Sequence, residues 1–215
     1  KVKSLRFSEC DNTTIVPPLS CLELLSFNMC SHLKQIRCIS TLKKLVILDC
    51  PTASIQQQME NMDDITLHNC LPYVVESSDM VFRNIIELDI TWCKLASIAE
   101  ISNVRDVRIS HCEFLEKIDM VNNVQMLTIE SCDELESFSI SNVKSFSISS
   151  CQQLKQIGHI KELDTFQVLN CNNLETIESI SNTKDVELKT CRDLKAIKTI
   201  KNIDNFMSHA CYVLH

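Results

Sequence analysis

The stretch FSISSCQQLKQIGHI, residues 146–160, decides the fold of this chain. Its apolar residues stand five and three positions before Cys151, and then three, six and nine positions after it. The same spacing returns in FQVLNCNNLETIESI, residues 166–180, and in VELKTCRDLKAIKTI, residues 186–200. A spacing that recurs every 20 or so residues is the signature of a repeat solenoid, in which similar coils stack along one axis. The sequence therefore predicts a repeat array.

Cysteine marks the same position in every unit. Eleven of the thirteen cysteines follow one another in steps of 20, 20, 20, 23, 19, 20, 19, 20, 20 and 20 residues. We call this series the cysteine ladder; it consists of Cys10, Cys30, Cys50, Cys70, Cys93, Cys112, Cys132, Cys151, Cys171, Cys191 and Cys211. Cysteine held at one phase of a structural period is expected to fill a packing position, because a free thiol behaves as a small buried hydrophobe.

The spacing of the ladder bears on chemistry and compartment. Disulfide frameworks of small secreted proteins space their cysteines irregularly, and zinc sites need clustered cysteine and histidine ligands. The ladder has neither property, so we expect reduced thiols, no disulfides, no metal site and a reducing, cytoplasmic compartment. Cys21 and Cys38 lie outside the ladder, and the sequence assigns them no role.

Directly before each ladder cysteine lies a short run in which apolar residues alternate with others. Such a run predicts a half-buried strand whose residues five and three positions before the cysteine point inward. Asn and Ser commonly precede the strand, as in Ser102-Asn103 and Ser181-Asn182, and are typical turn residues. The later apolar residues recur every three positions, which fits neither a strand nor an α-helix. We therefore predict an extended or 3₁₀-like return side with few or no full helices.

Composition excludes several functions. The 215 residues are 45% hydrophobic and 23% charged, with a formal net charge of −7. Acidic and basic residues are interspersed without a basic block, so no nucleic-acid partner is expected. No apolar run approaches the roughly 18 to 20 residues of a transmembrane helix, so no membrane insertion is expected. With a single glycine the chain has no phosphate-binding loop and no sharp nucleophile turn, so we expect no cofactor and no enzymatic activity.

The repeat pattern L-x-x-L-x-L-x-x-C-x-x-L resembles the cysteine-containing class of leucine-rich repeats. In this chain the pattern reads Leu163-x-x-Phe166-x-Val168-x-x-Cys171-x-x-Leu174 and Val124-x-x-Leu127-x-Ile129-x-x-Cys132-x-x-Leu135. The resemblance covers nearly the whole chain, about eleven units. It implies a mainly β, curved repeat solenoid with a parallel sheet on its concave face, and protein binding as the usual activity. The 20-residue unit is shorter than that of the helix-bearing members, which argues against helices on the convex side.

We interpret residues 1–215 as a single leucine-rich-repeat domain, with irregular repeats over 1–87 and regular repeats over 88–215. Pro17-Pro18 interrupts the first unit. Three added residues in the fourth unit predict a bulged loop over Leu71–Ile86. The chain opens on a repeat without an initial Met, so we expect a processed chain or a fragment.

Residues that alternate with the inward positions are expected on the concave face, where a partner would bind. The only Trp of the chain, Trp92, lies there directly before a ladder cysteine. Exposed Trp and Arg side chains often anchor protein interfaces, which favours a binding patch around this residue. The predicted patch consists of Asp89, Trp92, Arg108 and His111, with His68 beside it.

Alternatives remain open for these positions. Trp92 could instead fold over the loop at Leu71–Ile86. A second apolar spot, Val46 and Leu48, is either another contact site or is covered by the N-terminal loops. Asp89, His68 and Ser110 can be drawn as a catalytic triad, but the register of the repeats alone brings them together, and nothing in the sequence supplies an oxyanion site.

Three functions fit the sequence. The first is an intracellular, non-enzymatic scaffold that binds a protein partner on the concave sheet. The second is a surface or secreted repeat protein used for adhesion or host recognition, which glycan on the sequon at Asn12 would favour. The third is the ligand-sensing repeat portion of an immune-type receptor.

Overall fold

The computed structural model describes residues 2–10, 15–16, 21–36, 41–55, 58–70 and 80–211, and these residues form strands without a helix. The strands are β1 (Ser4–Ser8), β2 (Ile15–Val16), β3 (Leu24–Asn28), β4 (Gln35–Ile36), β5 (Lys44–Leu48), β6 (Ser54–Ile55), β7 (Gln58–His68), β8 (Met80–Thr91), β9 (Ser97–Ser110), β10 (Lys117–Glu130), β11 (Ser137–Ser149), β12 (Gln156–Lys161), β13 (Thr165–Leu169), β14 (Thr176–Lys189), β15 (Ala196–Ile197) and β16 (Ile200–His209). The predicted β fold is confirmed.

The strands stack in parallel, one repeat above the next. Thirteen of them form one sheet in the order β1-β3-β5-β7-β8-β9-β10-β11-β13-β14-β12, with β15 and β16 also pairing β14. A second sheet has the order β2-β4-β6. The register advances by one unit at each step, so that Leu25 faces Leu45 and Leu45 faces Ile65. Parallel pairing of each unit with the next is the architecture of a solenoid, and the predicted repeat solenoid is confirmed.

The number of turns is smaller than predicted. The solenoid makes about 9 turns, against the eleven units read from the sequence. Each ladder cysteine does follow a strand of the main sheet. Eleven successive cysteines bound only ten intervals, so a count of cysteines overestimates the number of turns.

The core is one continuous column inside the solenoid. In β3 the side chains of Leu25 and Phe27 are fully buried, while the alternating residues are only half-buried, as the alternation predicts. After the cysteine, Leu154, Ile157 and Ile160 are buried at the predicted spacing of three residues. Each such aliphatic side chain contributes on the order of 1.5–3 kcal/mol of burial free energy. The inward positions predicted from the repeat are therefore correct.

The ladder cysteines are reduced thiols, and the nine between Cys30 and Cys191 are buried. Most of these Sγ atoms donate to the carbonyl oxygen two residues earlier in the same strand; in Cys50 the distance to the Leu48 oxygen is 3.2 Å. Contacts to the neighbouring unit also occur, such as Cys93 Sγ to the Leu67 oxygen at 3.4 Å. Desolvation raises the pKa of the Cys50 thiol to about 11. Cysteine thus fills a packing position as predicted.

The return side is extended, as predicted, but more regular than expected. The short strands β2, β4 and β6 form it near the N-terminus, and the first halves of the long strands form it further along. The loop predicted over Leu71–Ile86 is wrong for its last part, because Met80–Ile86 belong to β8 and pair with β9. Residues 71–79, Asn12, Pro17-Pro18 and Cys38 lie outside the described part of the chain.

The turns from Asn61 onward bend at two corners where one residue adopts a left-handed backbone, with φ between 47 and 61°, and the described residues of the earlier turns have only the second of these corners. The first, which we call the asparagine corner, consists of Asn61, Asn84, Asn103, Asn123, Asn142, Glu162, Asn182 and Asn202. The second, the cysteine corner, is the residue before each ladder cysteine: Glu9, Met29, Asp49, Asn69, Trp92, His111, Ser131, Ser150, Asn170, Thr190 and Ala210. The Asn residues predicted as turns are therefore sharp bends that interrupt neither β9 nor β10.

Candidate functional site

The candidate site lies at the cysteine corner of the middle turns. Trp92 and His111 occupy this corner in successive turns, and their backbones are left-handed with φ of 57° and 54°. Because the neighbouring cysteines point into the core, the corner side chains project outward. The amide of Trp92 donates to the Ser110 oxygen of the next turn at 3.0 Å, which holds the two corners together.

The indole of Trp92 stacks on the imidazole of His111. Their ring centroids are 4.4 Å apart and the ring planes differ by 17°. Trp92 nevertheless remains 47% exposed. Offset aromatic pairs of this kind gain roughly 0.5–1.5 kcal/mol beyond burial and fix the orientation of both rings. The stacking presents a preordered aromatic surface to solvent.

Beside this pair lies an open cavity of about 310 Å³. Its lining consists of His68, Asn69, Trp92, Cys93, Lys94, His111, Glu113 and Phe114. Phe114 is 40% exposed, so two large aromatic side chains border the same opening. The predicted neighbours Trp92, His111 and His68 are thus brought together in one site.

Polar groups around the cavity are only partly engaged. The Nδ1 atom of His111 is buried and has no hydrogen-bond partner in the described structure. His68 Nδ1 lies 3.6 Å from Asp49 Oδ1, and Asn69 Nδ2 donates to the same oxygen at 2.9 Å. An unpartnered buried nitrogen beside an opening is a group that a ligand can satisfy.

Asp89 and Arg108, predicted in the same patch, lie on the strands next to the cavity rather than in its lining. They are opposite each other in the register of β8 and β9. The Thr91 hydroxyl donates to Asp89 Oδ1 at 2.6 Å, while Arg108 Nη2 lies 3.5 Å from Glu130 Oε2. These two residues therefore flank the aromatic pair and keep their charges on the sheet surface.

Val46 and Leu48, the second predicted spot, are half-buried on β5. Leu48 stands opposite His68 in the register of β5 and β7, one turn away from the cavity. The second spot is therefore continuous with the patch rather than separate from it.

Sequence reasoning missed the turn that follows the ladder cysteine. Phe114, Lys94 and Glu113 come from this turn and complete the lining. A signal was present, because Phe114 stands two residues after its cysteine, where the next units carry Glu134, Gln153 and Asn173. An aromatic residue at a position that is polar in the neighbouring units points to a surface contact.

The triad drawn from the sequence is not assembled. Asp89 accepts from Thr91, and His68 lies near Asp49. Ser110 Oγ is 3.2 Å from the Thr91 hydroxyl. Among the described residues, no group of three or more His, Cys, Asp or Glu side chains is placed to hold a metal ion. None of the described segments is a helix long and apolar enough to cross a bilayer.

The fold and the site define a class: a repeat protein built as a parallel β-solenoid with turns of about 20 residues. Comparisons of the chain with protein-family models, with curated proteins and with solved structures found no match.

Proposed function

We propose that this chain is a non-enzymatic protein-interaction scaffold that binds a protein partner through the patch around Trp92. The observation that carries the proposal is the exposed Trp92 ring, stacked on His111 beside an open cavity of about 310 Å³. Binding energy in protein interfaces concentrates on such aromatic anchors.

The composition of the patch fits an interface. Trp92 and Phe114 supply apolar surface at its centre, and the side chains of His68, Lys94 and Glu113 surround them with polar groups. An apolar centre with a polar rim is the usual anatomy of a protein–protein contact. The cavity has room for one large side chain of the partner, which would insert between the two aromatic residues.

We further propose that the chain is a leucine-rich-repeat protein of the cysteine-containing class and that it works in a reducing, cytoplasmic compartment. The repeat pattern and the inward thiol of each turn support the first proposal. Eleven reduced ladder thiols support the second, since disulfides are rare in reducing compartments.

The proposal is tested with a partner captured by the immobilised chain from a native extract and then purified. Trp92→Ala should weaken the affinity for that partner by about 2 kcal/mol, or about 30-fold, because it removes the anchor without touching the core. Met207→Ala is the matched control, since Met207 is a similarly exposed apolar side chain on the last turn. It should leave the affinity unchanged.

Circular dichroism and the melting temperature of both variants establish that the solenoid is intact. Equal affinities of the wild type and the folded Trp92→Ala variant would show that the patch does not bind the partner.

A further inference from the structure

The return side of the solenoid has a break between β11 and β12. On one side of it, β10 and β11 pair through Val121 and Ile140. On the other side, β12 pairs with β14, for example Ile157 with Ile177. Residues 80–211 are fully described, and within them no pairing joins β11 to β12. Two strand edges therefore face each other without a shared hydrogen-bond ladder.

A one-residue deletion explains the break. The step from Cys132 to Cys151 is 19 residues. In the following unit the inward residues of the return side, Ile157 and Ile160, are three positions apart, but in β11 Phe138 and Ile140 are two apart. A bulge absorbs the mismatch toward β10. Toward β12 the mismatch persists, and Phe138 and Ile140 remain only half-buried.

The other 19-residue step shows that the position of the deletion matters. Between Cys93 and Cys112 the residue is lost directly after the cysteine, so that Leu95 stands two positions from Cys93 rather than three. The return strands on both sides of this unit stay paired, through β8 with β9 and β9 with β10. Of the two deletions, only the one inside the return strand breaks the pairing between neighbouring return strands.

The break contains a cavity of about 350 Å³. Its lining consists of Asn123, Ile140, Ser141, Asn142, Val143, Lys144, His159, Lys161, Glu162 and Leu163. The only glycine of the chain, Gly158, lies on β12 beside it. Gly158 has no positive φ, and a Cβ there would meet nothing within 4 Å. Neither backbone nor packing requires glycine at this position, and its absent side chain leaves the backbone of β12 open to an approaching chain.

The rim of the cavity is basic, unlike the chain as a whole. The lining contains three basic residues, Lys144, Lys161 and His159, and one acidic residue, Glu162. The nearby Asp164 is engaged by Lys184, with 2.6 Å between Nζ and Oδ1. The formal net charge of the chain is −7, so a rim with two lysines and one glutamate is a local reversal of sign.

We propose that this cavity binds an extended acidic peptide segment of a partner protein, which lies along the opening and bonds to unpaired backbone groups of β11 or β12. The neighbouring turns stay bonded on both sides of the break, as in the Asp164 amide to the Lys144 oxygen at 2.7 Å, so the peptide lies in the opening without separating the two strands. Backbone groups at an open strand edge provide main-chain hydrogen bonds to such a peptide. Apolar side chains on one face of the peptide would contact Ile140 and Leu163, and acidic side chains on the other would meet the lysines. This site is distinct from the patch around Trp92, which lies at the other corner of earlier turns.

Fluorescence anisotropy with labelled octapeptides tests the proposal. A peptide of alternating Val and Glu should bind the intact chain, and a peptide of alternating Val and Lys should not. Lys144→Glu combined with Lys161→Glu should weaken the Val–Glu peptide by at least about tenfold, since the rim charge is reversed on exposed side chains. Trp92→Ala should not change this affinity, which separates the outcome from that of the patch.

Closing the break provides the sharper variant. One Ser inserted between Ser139 and Ile140 restores the three-residue spacing, so β11 can pair with β12 and the peptide should no longer bind. One Ser inserted between Lys94 and Leu95 is the matched control, because it lengthens the other short unit, where the return strands are already paired. Hydrogen exchange should show slower amides over 156–161 in the first variant only.

Two results would overturn the proposal. One is the absence of Val–Glu peptide binding at millimolar concentration. The other is equal binding of that peptide by the wild type and by the insertion variant whose amides over 156–161 have become protected. Equal binding of the Val–Lys peptide would overturn the assignment of an acidic partner.

Discussion

The asparagine corner and the cysteine corner share a backbone conformation but differ in their residues. At the asparagine corner, seven of the eight residues with positive φ are Asn. At the cysteine corner the side chain varies from Ala to Trp. A left-handed residue costs roughly 1–2 kcal/mol unless it is Gly, Asn or Asp, so the second corner tolerates a strain that the first avoids.

Side-chain contacts between turns explain the difference. At the asparagine corner, Asn123 Nδ2 donates to Asn103 Oδ1 at 2.7 Å, and Asn103 Nδ2 donates to Asn84 Oδ1 at 3.1 Å. At the cysteine corner a backbone hydrogen bond links successive turns, as in the amide of His111 to the Glu130 oxygen at 2.9 Å, and a side-chain hydrogen bond between corner residues occurs at Asn69 and Asp49. A corner held by its backbone leaves its side chain available for recognition.

Replacing the ladder cysteine should lower the free energy of unfolding more than replacing the corner residue before it. Cys132→Leu should lower the free energy of unfolding by about 2 kcal/mol, because Cys132 is fully buried and a larger side chain overpacks the column. Ser131→Met changes the corner residue itself and should stay within about 0.5 kcal/mol, as Met29 already occupies this corner five units away. Urea denaturation measures both, and similar losses would contradict the distinction.

The asparagine corner should respond to a change that the cysteine corner accepts. Asn103→Ala should cost about 1.5 kcal/mol, because it removes two amide hydrogen bonds and the residue type that favours a left-handed backbone. Thr190→Ala, the matched change at the cysteine corner, should have little effect because Ala210 adopts the same conformation. We call the hydrogen bonds between successive Asn side chains of this corner the amide ladder. A comparable loss in both variants, measured by thermal unfolding, would mean that the amide ladder contributes nothing to stability.

Acid should weaken the surroundings of the asparagine corner. Arg83 forms a two-pronged ion pair with Glu100, whose carboxylate also accepts from Ser102. The hydrogen bond from Arg83, assisted by that from Ser102, lowers the pKa of Glu100 from 4.5 to about 2. A lowered folded-state pKa stabilises the fold above pH 4.5, and this contribution is lost as the pH falls toward 2.

Glu100→Gln is the variant that isolates this contribution. The wild type should be more stable than Glu100→Gln at pH 7, and the difference should shrink between pH 4.5 and 2. Chemical denaturation at a series of pH values measures it. A difference that does not change with pH would show that the ion pair is not its source.

The smallest effect is expected where the amide ladder is interrupted. Glu162 is the one residue of the asparagine corner that is not Asn. Glu162→Asn should stabilise the chain by about 0.5 kcal/mol, because Asn182 would gain an amide partner as Asn202 has in Asn182. Glu162→Gln removes the same charge without shortening the side chain and serves as control. Equal melting temperatures for the two variants would argue against an extended ladder.

Much of the fold could be predicted because burial is periodic in the sequence. The inward positions before and after each cysteine follow directly from apolar spacing, and Trp92 and His111 were placed at one site by the same register. The left-handed corners could not be predicted, since Trp92 or Thr190 gives no sign of positive φ. The Asn residues indicated a turn, but the amide ladder depends on alignment between turns.

The site was only partly predictable for a similar reason. Phe114 belongs to a turn whose direction depends on the corner before it. The two 19-residue steps look alike when cysteines are counted, and the difference emerges only from the spacing of Phe138 and Ile140. Whether a deletion keeps or breaks the pairing of the return strands depends on the hydrogen-bond register of neighbouring strands.

The buried ladder cysteines allow the unfolding of individual turns to be followed. In the folded chain the buried sulfurs resist alkylation because the reagent cannot reach them. Desolvation also raises the pKa of the Cys50 and Cys191 thiols to about 11 and about 12. A turn that detaches from the stack exposes one sulfur. Mass spectrometry after a pulse of iodoacetamide would therefore count the detached turns and show from which end the array peels.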